Sequence, residues 1–242
     1  MMRKIDVISF VGEDFYSSQA PEALLREMDR NHVERTMIAP VEKYTAVYNE
    51  EGNRMVADIC RRWPDRFLGY AVCSPWRGKQ GERELKRALE DGLTAVYFNS
   101  AVQGFTISDD IVDPLIAVCA EYQVPVYFHT GTPAYALPFQ LHFLAERFPE
   151  VMFIMGHSGA NDFSGDALPA VWGSPNILLD TSLNLGVSIR ALAKSEPDKV
   201  VFGSAAPRSR LGYEIQRVEE GIKDMETLEK VFSGNILKIL KL

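Results

Sequence analysis

Cysteine is scarce in this chain. There are three in 242 residues (Cys60, Cys73 and Cys119), an odd number, widely spaced and without a CxxC pair. That excludes a disulfide framework and suits a reducing compartment, so a cytoplasmic protein is expected. Basic residues are outnumbered, 26 against 33 acidic, for a net charge of −7. Nucleic acid is therefore not an expected partner, because phosphate-backbone binding needs a basic face. No apolar run approaches the ~20 residues of a membrane span, so no membrane partner is expected. The opening stretch MMRKIDVISF meets Asp6 before a signal-type apolar region develops, and no targeting segment is expected. A Gly-rich phosphate loop is missing as well, since FVGEDF follows the first apolar run. Histidine is rare, with four in the chain. No low-complexity segment or linker divides residues 1–242, which read as a single domain.

What is present is ordinary globular composition, 46% hydrophobic and 24% charged. Short β-like runs alternate with amphipathic stretches from end to end. The runs fall at 4–11, 35–40, 66–73, 94–99, 124–129, 151–156, 176–181 and 199–204. Helical patterns between them include PEALLREMDR, NRMVADICRRW, GERELKRALEDG, DPLIAVCAEY, LPFQLHFLAERF, VSIRALAKS and RLGYEIQRVEEGI. Several open on proline or an acidic residue, as helix starts should. Near-continuous apolar strands separated by helices imply a parallel sheet covered on its outer side. Eight such units in this length predict an α/β fold, a (β/α)8 TIM barrel, over a doubly wound sheet. The tail METLEKVFSGNILKILKL reads as one more helix, broken at Ser233-Gly234-Asn235.

In such a barrel the chemistry sits at the C-terminal ends of the strands. Those ends supply Phe10, Pro40, Cys73, Asn99, His129, His157, Asp180 and Ala205. A single histidine there is more often structural. His129 and His157, however, end neighbouring strands about 4.8 Å apart, so both imidazoles can converge on one ion or one substrate atom. Glycines after each histidine (FHTGTP, GHSGAND) leave room for a ligand to approach the backbone. His32, at a helix exit, and His142, inside a helix, read as structural. Tyr97, Asn99, Thr130, Asp180 and Arg208 complete the candidate set.

The chain resembles the amidohydrolase superfamily, in its amidohydrolase-2 branch of metal-dependent barrel hydrolases and decarboxylases. The resemblance runs nearly end to end through IDVISFVG, GLTAVYFNSAVQGF, VPVYFHTGTP, FIMGHSGAND, NILLDTS, VVFGSAAP and EKVFSGNILKIL. It implies a metal site whose first-strand ligands are a His-x-His pair and whose last-strand ligand is an aspartate that also carries protons. Here those positions are Ile8, Phe10 and Ala205, and a position that is often lysine in the family is Tyr97. His129 and His157 alone survive of the five ligand positions. Catalytic zinc typically needs three protein ligands plus water. A tightly bound cofactor is therefore not expected; the alternative is one divalent metal, zinc or manganese, at low occupancy. Asp6 shares the parity of positions 8 and 10 and is expected to face the interior about 7 Å lower, a poor third ligand. Glu13, Asp14, Glu42, Asp162 and Asp180 are the other carboxylates within recruiting range.

Three readings follow. The first is a metal-independent hydrolase of a small ester, lactone or amide. In it His129 or His157 is the base, Tyr97 or Asn99 polarises the carbonyl, and Arg208, Thr130 and Asp180 contact substrate. The second is a non-catalytic descendant that keeps its pocket as a ligand-binding or assembly module. The third is a metal-dependent hydrolase with a relocated site. A homodimer is the default assembly for a barrel.

Overall fold

Every apolar run read as a strand is one. The computed structural model describes residues 2–240. Its strands are β1 (Ile5–Glu13), β2 (Ser18–Gln19), β3 (Arg35–Pro40), β4 (Phe67–Ala71), β5 (Ala95–Phe98), β6 (Val126–His129), β7 (Phe153–Gly156), β8 (Ile177–Asp180) and β9 (Val200–Val201). Of the nine, β2 alone pairs antiparallel, as the return arm of a short hairpin on β1, which leaves eight parallel strands. Backbone bonds from Val7 N to Phe202 O (2.9 Å) and from Ala205 N to Ile8 O (2.8 Å) join the two ends of the sheet. The sheet is thus closed into a barrel, and no strand edge is left unpaired on that side.

Two apolar layers hold it. Outside, the helices pack their buried faces on the sheet; the helix Asp113–Tyr122, for example, contributes Leu115, Ile116, Val118 and Cys119. Inside, the middle of the barrel is filled by aromatic side chains from consecutive strands: Tyr70, Tyr97 and Tyr127, with ring centroids 5.6–6.2 Å apart. Layers of large side chains are how a barrel becomes a packed core instead of a pore. Tyr70 Oη donates to Val7 O and Tyr127 Oη to Asp180 Oδ2, each at 2.7 Å.

Three local expectations are corrected. The helix Ala160–Val171 carries Pro169 within it and was not visible as a helical pattern. The break at 233–235 is a π-helical turn, Lys230–Gly234, that runs on into the helix Asn235–Leu240. Strand β1 slips register against β3 between Asp6 and Ser9, which breaks simple alternation. As a result Val7 and Ile8 both join the interior apolar cluster, and Asp6 does not stand in a column below residues 8 and 10. No helix among the described residues is long and apolar enough to cross a membrane.

Candidate active site at the barrel mouth

Strands β6 and β7 are in register at His129 and Gly156, so His157, one residue on, rises beside His129. The imidazole centroids lie 4.8 Å apart at 73°. Gly156 is required at this step, because a Cβ there would overlap the Tyr127 ring. His157 has left-handed backbone (φ 61°), uncommon for a residue with a Cβ. Its amide is held in place by Asp180 Oδ2 at 3.0 Å, and its carbonyl accepts from Asn184 Nδ2 at 2.7 Å. The loop glycines do not open space for a ligand as expected. A Cβ at Gly131 would meet Ala160 and Gly159, so the two loops pack on each other.

Behind His157 runs a hydrogen-bond chain. Its Nδ1 lies 2.7 Å from Ser182 Oγ, and that hydroxyl donates to Asp180 Oδ2 in a short bond. A serine hydroxyl has one proton. Given to the carboxylate, it leaves the oxygen to accept from Nδ1–H, which puts the lone pair of His157 on Nε2. That nitrogen is buried and has no partner; nor has His129 Nδ1, nor Tyr97 Oη. Buried polar atoms are nearly always satisfied, so three unpartnered ones at this end of the barrel make it the candidate site. His129 Nε2 is braced by Thr132 Oγ1 at 2.9 Å.

Opposite the histidines the rim is apolar. Ile8, Phe10 and Ala205, at the three positions where the family pattern puts ligands, are all buried. Phe10 meets Tyr97 edge-on with centroids 5.6 Å apart. Above Phe10 lies Arg208, its guanidinium carbon 4.5 Å from the ring centroid. Arg208 N donates to Ala205 O at 2.9 Å, closing a turn that carries the side chain back over the mouth. Its Nη2 donates to Glu42 Oε1. Burial first, and then the Arg208 charge, push His129 down to about 3; burial, then the neighbouring His129 and then Arg208 hold His157 well below the ordinary imidazole range. Both imidazoles are therefore neutral at neutral pH. Burial lifts the Tyr97 phenol to about 12, with Arg208 and Asn99 opposing it, so it too is neutral.

Several candidates have other duties. Asp180 is fully buried and accepts from Tyr127, Ser182 and the His157 amide, so its oxygens are committed to groups of the protein itself. The Thr130 hydroxyl is committed to Gly156 O and Gly159 N. Asn99 Oδ1 caps the short helix Ser100–Gln103 through Val102 N. Asp6 is held by Ser9 and Ser204 on the β1/β9 side, which removes it as a third ligand. His142 bonds Ser174 at 2.8 Å on the outer layer, a structural role. Ser182 and Glu42 are the partners that sequence reasoning undervalued. Ser182 lay in plain view in the DTS stretch, whereas the Glu42–Arg208 pairing spans the chain and has no local signal.

Among the described residues, no group of three or more His, Cys, Asp or Glu is placed to hold a metal ion. The surviving histidines offer two unpartnered nitrogens, and the other three positions, Ile8, Phe10 and Ala205, are hydrocarbon. This donor set, with a guanidinium beside it, does not match a chelated dication.

The closed sheet of eight parallel strands wrapped by helices, with two histidines at its C-terminal mouth, defines an α/β TIM barrel. The chain belongs to the amidohydrolase family: the family model Amidohydro_2, described as Amidohydrolase, matches residues 17–242. The match begins after the part of β1 that holds Ile8 and Phe10. No curated protein sequence matches the chain. Among solved structures it is similar to a dihydroxybenzoic acid decarboxylase from a Polaromonas species with bound manganese and 2-nitroresorcinol (TM-score 0.81, 16% identity, 100% of this chain and 98% of that one). It is similar also to a 2,6-dihydroxybenzoate decarboxylase from Rhizobium (0.79, 14%, 100% and 99%). A third is the 5-carboxyvanillate decarboxylase of Novosphingobium aromaticivorans, complexed with manganese and a nitrobenzoic acid (0.77, 15%, 100% and 96%).

Proposed function

We propose that this chain is an amidohydrolase-family hydrolase that acts on a small ester, lactone or amide at the barrel mouth without a tightly held metal. The observation that carries the reading is the Asp180–Ser182–His157 chain ending in an unpartnered Nε2 lone pair. Water bound beside that nitrogen gives it a proton as its oxygen adds to the substrate carbonyl carbon. The resulting imidazolium returns the proton to the leaving oxygen or nitrogen as the C–O or C–N bond breaks. Asp180 keeps the ring in the right tautomer, the logic of a triad with one extra hydroxyl between its members. Tyr97 Oη, a buried hydroxyl with no partner, is the donor this reading assigns to the carbonyl oxygen as it becomes negative. The developing oxyanion also raises the proton affinity of His157, which the apo site holds low.

The manganese-holding neighbours are decarboxylases, and decarboxylation is the competing reading. It replaces a C–CO₂ bond with C–H and needs a proton donor at carbon. The family's last-strand aspartate is Ala205 here, and both histidines are neutral. In hydrolysis the base acquires from water the proton that it later returns, whereas decarboxylation needs a donor that is protonated at the start, so the neutral pair fits hydrolysis better.

The test is a panel of lactones, esters, amides and hydroxybenzoates, with metal and with chelator. Hydrolysis that persists in chelator and falls by about 10²–10⁴ in His157→Ala is expected. Turnover that survives His157→Ala, or CO₂ release from the hydroxybenzoates, overturns the proposal. Binding with no turnover supports the non-catalytic alternative.

A further inference from the structure

The mouth has a positive charge of its own. Arg208 is seated on the Phe10 ring at 4.5 Å and tied to Glu42, at positions that lie against the ligand sites the family pattern assigns to β1 and β9. That ion pair uses one of the five N–H donors of a guanidinium. The side chain remains one-quarter exposed, so it can be reached from the rim. Its charge acts on three buried side chains that carry an unpartnered polar atom, Tyr97, His129 and His157.

We propose that Arg208 is the specificity-determining residue of this site, and that it selects small molecules carrying a carboxylate, with the guanidinium and not a bound dication supplying the positive charge. Geometry and charge agree on this. A planar guanidinium is matched to a carboxylate, which it can hold with two parallel hydrogen bonds. The aromatic seat fixes its plane, so little side-chain entropy remains to be lost when the carboxylate arrives. The effect on the histidines points the same way: the Arg208 charge lowers both, and a bound anion offsets that field and restores their basicity. Glu42 holds the guanidinium from the side and discourages a second anion. The proposal rests on the barrel-mouth reading above, but it assigns ligand class, not chemistry.

The test compares benzoate with its neutral isostere benzamide by calorimetric titration of the full chain, with chelator and again with manganese chloride. Benzoate is expected to bind at least about tenfold tighter than benzamide, with no gain from manganese. Arg208→Gln should abolish the preference, and Arg208→Lys should keep part of it, which separates lost charge from lost fold. His157→Ala should retain the preference while losing turnover, so a failed base assignment and a failed anchor assignment give different results. Equal affinity for the two probes, an undiminished preference in Arg208→Gln, or a tenfold tightening by manganese overturns the proposal.

Discussion

Strands β6, β7 and β8 reach the barrel rim with one chemistry, and strands β1 and β9 reach it with another. The first arc is polar: His157, Ser182 and Asp180 are linked through short bonds, His129 is held by Thr132, and one ring nitrogen of each histidine is left unpartnered. The second arc shows hydrocarbon to the mouth at Ile8, Phe10 and Ala205, and its polar groups point sideways. Asp6 spends its oxygens on Ser9, Ser204 and the Ile8 amide, stitching β1 to β9. A metal site needs donors from both arcs at once. A site built on a base and an anion anchor needs them from one arc and charge from the other, and Arg208 on Phe10 provides that charge. The difference teaches that the mouth sets neutral imidazoles on one side against hydrocarbon and a single cation on the other.

The largest expected effect concerns the carboxyl group of the apolar arc. Burial outweighs four donated hydrogen bonds and raises Asp6 from 3.8 to about 7. The folded chain therefore keeps the Asp6 proton after the unfolded chain has released it. Stability from this group is fully present below pH 4, falls as the pH rises to 7 and is flat above, by roughly 3–5 kcal/mol in all. Asp6→Asn mimics the protonated form, since its amide can donate to the two serines while its oxygen accepts from Ile8 and Ser204. Urea unfolding of both proteins from pH 4 to pH 8 should show the decline in the natural chain and its loss in the variant. If the decline persists in Asp6→Asn, the titrating group belongs to the other arc, where burial raises Asp180 as well, and the contrast between the arcs is weaker than drawn here.

The second effect is produced by making the arcs alike. The triple change Ile8→His, Phe10→His and Ala205→Asp gives the β1/β9 side three donors and removes the seat of Arg208. Losing a supporting group at a metal site commonly costs 10–100-fold, so manganese affinity should rise by at least about 100-fold, near 3 kcal/mol. Competition with a metal-binding dye measures it, with circular dichroism to show that the barrel persists. Equal manganese affinity in the two proteins would mean that the hydrocarbon at these positions is not what sets the donor count.

The barrel and the histidine pair were legible in the sequence for a physical reason. Parallel strands buried on both faces must be apolar runs, and a barrel must place their ends on one rim, so FHTGTP and GHSGAND declare themselves from their position alone. The rest depends on contacts that no local pattern encodes. The parity of Asp6 was misjudged because a register slip in β1 is invisible to alternation. A strand-end aspartate looks the same in sequence whether it faces the mouth or, like Asp180, accepts four hydrogen bonds from the protein. The cation over Phe10 joins residues 198 apart, and its brace Glu42 is 166 residues from Arg208.

The smallest expected effect is also the sharpest probe of the mouth. Tyr70, Tyr97 and Tyr127 are chemically identical, fully buried and neighbours in one interior layer, yet two hydroxyls have partners and Tyr97 has none. Removing a satisfied buried hydroxyl strands its partner, whereas removing an unsatisfied one relieves a desolvation cost. Tyr127→Phe should therefore destabilise by about 1–3 kcal/mol and Tyr97→Phe should be neutral or stabilising by up to about 1 kcal/mol. Urea midpoints at constant slope separate the two. The same Tyr97→Phe change should lower turnover, because the hydroxyl that costs stability in the empty site is the one assigned to the developing oxyanion; functional sites commonly trade stability in this way. A Tyr97→Phe chain that loses as much stability as Tyr127→Phe would show that its hydroxyl is already satisfied, and the case for a ligand site at the mouth would then rest on the two histidine nitrogens alone.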